Sequence, residues 1–145
     1  MKNDIIAEVQ VHVKAPIARV WGALTRPEII RQYFFDTNTH TDWVPGHPIR
    51  FTGEWQGQSY EDKGTVLEYE ENKKLKYSYW SSRSELEDKP ENYIFITYEV
   101  FGTDYEVNVR LTQENTPGED MKQHAIENWK KVLNGMKELV EKASK

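Results

Sequence analysis

The chain has 145 residues, a net charge of −5, 30% charged and 37% hydrophobic residues and no cysteine, a size that suits one domain over residues 1–145 with roughly 68–70% of the unfolded surface buried. No run nears the ~20 apolar residues of a membrane span, the lack of cysteine excludes disulfides, thiolate metal sites and thiol catalysis, and both charge signs are spread without a basic stripe, which argues against nucleic acid and anionic membranes as partners. The opening MKNDIIAEVQVHV lacks the basic start, apolar run and small-residue cleavage site of a secretory signal, so a cytoplasmic location is expected.

In AEVQVHVK, Ala7, Val9, Val11 and Val13 alternate with Glu8, Gln10, His12 and Lys14, the period-2 pattern of a half-buried strand. Pro16 suits a first helical turn, and Ile17, Val20, Trp21 and Leu24 follow at helical spacing. Thr25 and Glu28 have the spacing of a capping box, with Pro27 between them, and open a second short helix striped by Ile29, Ile30, Tyr33 and Phe34. From about Thr39 the pattern turns to strands punctuated by turn residues: HTDWV, Pro45-Gly46, PIRFTGEWQ, Gly57, SYEDKGTVLEYE, Glu71-Asn72 and KLKYSYW. Ile49, Phe51, Gly53 and Trp55 share one face, as do Leu75, Tyr77 and Tyr79, and Gly64 marks a bend or bulge.

Residues 81–92, SSRSELEDKPEN, read as an exposed connection. NYIFITYEVF and DYEVNVRLTQ are two further strands joined at Gly102-Thr103, the second with Tyr105, Val107, Val109 and Leu111 facing inward. Met121, Ala125, Trp129, Val132, Leu133, Met136 and Val140 then recur every three or four residues and define one long amphipathic helix.

The order of strand, two short helices, about six antiparallel strands and long C-terminal helix is a helix-grip arrangement. VKAPIARVWGALTRPEIIRQYF resembles the N-terminal signature of the family named after the activator of the ninety-kilodalton heat-shock protein's ATPase, within the birch-pollen-allergen and START-like superfamily. DKGTVLEY, KLKYSYW, ITYEV and NWKKVLNGMKELVE resemble its later blocks in order. Two positions depart from the pattern: Asn128 where glycine is frequent, and Pro45-Gly46 in place of a Gly-Gly turn. The resemblance implies an α+β fold: a curved antiparallel sheet of about six to seven strands, two short helices after the first strand, and the long helix packed across the sheet. The short helices would plug one end of the space between sheet and helix, with Trp21, Leu24, Tyr33 and Phe34 as its floor or rim.

Such a space is where a hydrophobic or aromatic small molecule, lipid-, sterol- or polyketide-like, would bind. Candidate lining residues are Phe51, Trp55, Tyr77, Tyr79, Ile96, Tyr98, Tyr105 and Val107 from the sheet and Trp129, Leu133 and Met136 from the helix, with Trp21, Phe34 and Trp43 completing the set. The alternative is that these side chains fill the interior and leave no room. His40, Asp42 and His47 lie close enough to raise a metal or acid–base site, but exposed turn and edge histidines are the preferred explanation, and no metal or cofactor is expected. His124 belongs either to the surface or to the cavity mouth. Glu61, Asp62, Glu68, Glu70 and Glu71 would matter to chemistry if one were buried. No catalytic residue is assigned; the family name itself raises a second function, a co-chaperone module with a protein partner, although the chain is short for the extra N-terminal domain of eukaryotic activators, and a third is an enzyme acting on a cavity-bound ligand.

Overall fold

The computed structural model describes residues 5–82 and 86–143. Its elements are β1 (Ala7–Val13), α1 (Ile17–Thr25), α2 (Pro27–Tyr33), β2 (Asn38–His40), β3 (Pro48–Trp55), β4 (Gln58–Glu70), β5 (Lys74–Tyr79), a 3-10 turn at Pro90–Asn92, β6 (Ile94–Gly102), β7 (Val107–Glu114) and α3 (Glu119–Ala143). The strands form one antiparallel sheet in the order β1-β7-β6-β5-β4-β3-β2. From β2 to β7 the strands that neighbour in the sheet are consecutive in the chain, and β1 closes onto β7. This is the α+β helix-grip fold, and among the described residues no helix is long and apolar enough to cross a membrane.

The sheet curves because β4 changes partners along its length. Its first half pairs with β3, from Trp55↔Gln58 to Pro48↔Thr65, and its second half with β5, from Val66↔Tyr77 to Glu70↔Lys74. At the crossover the Ser78 carbonyl approaches Gly64 so closely that a Cβ there would lie 1.6 Å from the oxygen, and the Thr65 N–H donates to the Ser78 hydroxyl at 3.0 Å instead of to a ladder carbonyl. The bulge itself lies between Val66 and Glu68, where the alternation slips: Val66 and Tyr69 point in, while Leu67 and Glu68 face out. Gly64 is thus a site of close backbone approach beside the bulge.

Helix α1 ends because Pro27 disfavours helical backbone at Arg26, which is extended at φ −85° and ψ 118°. The expected capping box is not formed. Thr25 stays in the last turn of α1 and its hydroxyl donates back to the Trp21 carbonyl at 2.9 Å, the i−4 bond that competes with capping. Helix α3 begins after Gly118 (φ 105°) with Glu119 and Asp120 in its first turn, where they complement the helix dipole. It lays Trp129, Val132, Leu133, Met136 and Val140 against the sheet, each 9% exposed or less; fully buried aliphatic side chains of this kind contribute about 1.5–3 kcal/mol apiece.

Two expected strands are shorter than the alternation suggested. HTDWV pairs with β3 only through His40; beyond it the Thr41 hydroxyl accepts from the Trp43 N–H at 3.1 Å and the Asp42 carboxylate from the Val44 N–H at 3.1 Å, and Trp43 sits at φ 59°. In DYEVNVRLTQ the strand starts at Val107. Thr103–Glu106 form a turn in which the Thr103 hydroxyl accepts from the N–H groups of Tyr105 and Glu106. Tyr105 therefore projects into solvent, 82% exposed, rather than inward. In both segments, side-chain bonds to nearby backbone outcompete the ladder. Of the exposed connection 81–92, residues 83–85 lie outside the described residues.

Candidate functional site

The aromatic residues expected around one space divide among three places. Trp21 and Trp43 sandwich Tyr69 at the closed end: the Trp21 indole donates to the Tyr69 hydroxyl at 3.1 Å, Trp43 stacks on the Tyr69 ring with centroids 5.9 Å apart, and its indole donates to the Thr25 carbonyl at 2.8 Å. This cluster caps the C-terminal end of α1 through the Trp43 indole. Tyr98, Val107, Leu133 and Met136 are core, at most 4% exposed. The hydroxyl of Tyr33, a predicted rim residue, donates to the Ala23 carbonyl at 2.7 Å. Burial pushes the phenols of Tyr77 and Tyr98 well above the ordinary tyrosine range.

Phe34, Tyr77, Tyr79, Ile96 and Trp129 come together instead around a cavity of about 340 Å³ between β5, β6 and α3. Ile94, Ala125 and Val132 complete its apolar wall, and Gln113 lies at its back. Gln113 accepts the Trp129 indole N–H at 2.9 Å, which with the edge-to-face contact to Phe34 (centroids 5.6 Å apart) fixes the Trp129 ring in one orientation. Phe35, Leu86, Met121, His124 and Asn128 also line the cavity and are exposed, so they stand at its mouth. Met121 thus leaves the helix stripe to form part of the rim, and His124 belongs to the mouth.

A second cavity, about 380 Å³, adjoins the first and shares Phe34, Phe35, Tyr79 and Asn128 with it. Phe51, Tyr60, Thr37, Glu54 and Asp62 form its other walls. Tyr60 crosses over its strand partner Gly53, where a Cβ would meet the ring at 2.7 Å, and its hydroxyl is 2.7 Å from that of Thr37. Asp62 is the buried member of the acidic cluster, 2% exposed, whereas Glu61, Glu68, Glu70 and Glu71 face solvent. Its carboxylate accepts from the Tyr79 hydroxyl, from the Ser82 N–H at 3.0 Å and from the Ser82 hydroxyl at 3.2 Å.

Phe35 stands between the two cavities with φ 50°, followed by Asp36 at φ 59°. Two consecutive left-handed residues, neither of them glycine, are costly, and a bulky one held 60% exposed is the kind of outlier that clusters at ligand sites. The ion pair from Arg31 to Asp36, 3.0 Å, holds this corner.

The Trp55 side chain lies outside the described residues. The trio of His40, Asp42 and His47 is not assembled: His40 bonds Thr52 at 2.8 Å, while Asp42 and His47 pair at 2.7 Å on the surface. Among the described residues no group of three or more metal-type ligands occurs. Sequence reasoning missed Phe35, Leu86 and Asn128 as lining residues. Asn128 had a signal, since it precedes Trp129 at the departure from the family's glycine. Asp62 also had one, because it shares the parity of the inward Val66.

The family model for activator of Hsp90 ATPase homolog 1-like proteins matches residues 14–141. A protein of Cytophaga hutchinsonii, solved in solution, is 40% identical, with a TM-score of 0.84 over 99% of this chain and 98% of that one. The Aha1 dimer of Colwellia psychrerythraea is 17% identical, with a TM-score of 0.73 over 94% of this chain and 96% of that one. DynU16, from the dynemicin biosynthetic locus, is 17% identical, with a TM-score of 0.78 over 98% of this chain but 49% of its own length. These two share the fold. Comparison with curated proteins finds no match.

Proposed function

The chain belongs to the family of activator of Hsp90 ATPase homolog 1-like proteins, and within it we propose that this member binds a hydrophobic or aromatic small molecule between its sheet and its C-terminal helix. The observation that carries the proposal is the 340 Å³ cavity walled by Phe34, Tyr77, Tyr79, Ile94, Ile96 and Trp129. Its size and lining are those of small-molecule sites, which are mostly apolar with a few polar groups to fix orientation. Here Gln113 at the back and Asn128 at the mouth supply such groups. Affinity comes from removing apolar ligand surface from water, at about 25 cal/mol per Å² before ordering costs. A protein partner draws on the family name alone, whereas the cavity is a feature of this chain, so the small-molecule function is preferred.

Asn128→Trp tests it. Asn128 is exposed and stands at both cavity mouths, so an indole there blocks entry without disturbing the core. Wild type and variant are compared by thermal shift against aromatic alcohols, fatty alcohols, sterols and polyketide-like phenols. A ligand at a hundredfold its Kd adds about 2.7 kcal/mol to the folded state, or about 5–10 °C in Tm for a chain of this size. At least one class is expected to shift the wild type saturably and to leave Asn128→Trp unmoved. No shift by any class, or equal shifts in both proteins, overturns the proposal.

A further inference from the structure

The second cavity differs from the first in charge, and from this we infer that the bound molecule is a cationic amphiphile: its ammonium head sits in the aromatic chamber beside Asp62 and Glu54, and its apolar body runs into the chamber beneath Trp129. This rests on the small-molecule function proposed above and narrows it to one ligand class.

Among the described residues, the charged side chains lining the second cavity are Glu54 and Asp62, both carboxylates. Asp62 is almost wholly buried, and among the described residues its hydrogen bonds come from neutral donors, the Tyr79 hydroxyl and the N–H and hydroxyl of Ser82. The cations of the adjoining strands are engaged elsewhere: Lys63 with Asp88 at 2.5 Å, Arg50 with Glu61 at 3.3 Å, Lys74 with Glu68 at 3.2 Å and Lys76 with Glu114 at 3.7 Å. A carboxylate taken out of water without a cation beside it is costly to keep. A positively charged ligand in the chamber offsets that cost. The remaining walls favour the same charge, since Phe34, Phe35, Phe51, Tyr60 and Tyr79 offer ring faces and edges, with Phe51 and Tyr79 centroids 5.4 Å apart and Phe34 and Phe35 centroids 5.9 Å apart. Aromatic faces attract an ammonium through the ring quadrupole, and most strongly when water is excluded. Because Phe34, Phe35, Tyr79 and Asn128 border both chambers, one molecule with a charged head and an apolar body spans them. The net charge of −5 steers cations toward the protein as a whole.

The test is calorimetric titration with three probes sharing one body: 5-phenylpentyl-trimethylammonium, 5-phenylpentan-1-ol and 5-phenylpentanoate. The ammonium is expected to bind at least about tenfold tighter than the alcohol, with the carboxylate weakest. Asp62→Asn is expected to cut the preference of ammonium over alcohol to about threefold or less while leaving alcohol affinity within about twofold of wild type. Should Asp62→Asn unfold, because Tyr79 and Ser82 lose their acceptor, Glu54→Gln at the exposed rim makes the same comparison on a folded chain. Equal or tighter binding of the alcohol, or an undiminished preference in these variants, overturns the cationic head and leaves cavity binding standing. No binding of any probe overturns both.

Discussion

Gly64→Ala probes the fold in the sheet that brings Tyr79 and Asp62 to one chamber. The added Cβ would lie 1.6 Å from the Ser78 oxygen and 2.5 Å from its carbonyl carbon, both backbone atoms that no rotamer change moves aside. Strands β4 and β5 must part locally. Three bonds cross that point: the Lys63 N–H to the Trp80 carbonyl at 3.1 Å, the Trp80 N–H to the Lys63 carbonyl at 2.8 Å, and the Thr65 N–H to the Ser78 hydroxyl at 3.0 Å. At about 1 kcal/mol each their loss costs about 3 kcal/mol, a large share of the 5–15 kcal/mol typical of a domain. Scanning calorimetry should register a fall in Tm of about 6–12 °C. The same separation moves Tyr79 away from Asp62, so affinity for any cavity ligand should fall with it. A Tm within about 2 °C of wild type would refute the reasoning, since it would mean that the strands relax around the methyl at no cost.

Trp43→Phe keeps the stack on Tyr69 but removes the indole donor to the Thr25 carbonyl, so chemical denaturation should show a loss of about 0.5–1.5 kcal/mol with an unchanged m-value. Phe35→Gly relieves a left-handed residue and loses one edge-to-face contact, effects of opposite sign and about 1 kcal/mol each, so stability should stay nearly level while ligand affinity drops. The Glu141 carboxyl, held below its usual range first by Lys137 and then by the Lys14 N–H, ties α3 to the end of β1. A depressed carboxylate contributes fully above the unfolded value near 4.3 and loses its contribution as pH falls through the folded value. The Tm advantage of wild type over Glu141→Gln should therefore hold from about pH 7 to 5 and shrink toward about pH 3; a constant difference would contradict the assignment. Tyr33, Tyr77 and Tyr98, raised by burial above all, should remain unionised until the chain unfolds in alkali, so Tyr98→Phe should leave the phenolate absorbance of the folded protein unchanged.

Much of the architecture is written in simple periodicities. Ala7–Val13 alternates and forms β1, and the stripe from Ala125 to Val140 forms the buried face of α3. The errors have a common cause. Thr25, Asp42 and Thr103 each carry a short polar side chain that bonds nearby backbone: in Thr25 the bond replaces the expected cap of α2, and in Asp42 and Thr103 it replaces the expected strand ladder. Alternation extended through such a residue put Tyr105 on the wrong side of the turn. The site was legible in part: Tyr77, Tyr79, Ile96 and Trp129 do meet around a cavity, but which aromatics surround space and which fill it depends on the curvature set at Gly64 and the bulge after Val66, and that is a property of three strands together. Tyr98 and Tyr77 share a face and a composition, yet Tyr98 is core and Tyr77 borders the cavity.

The most direct measurement is a proton–nitrogen correlation titration of the folded protein with 5-phenylpentan-1-ol, read at the side-chain N–H of Trp129. That proton is buried, donates to Gln113 and borders the cavity. Saturable shifts at Trp129, Ile94, Ile96 and Ala125, with the Trp21 and Trp43 indoles unmoved at the closed end, are the result predicted. Shifts confined to the exposed Phe101 and Tyr105 region, or a Trp129 signal that never moves, would contradict it.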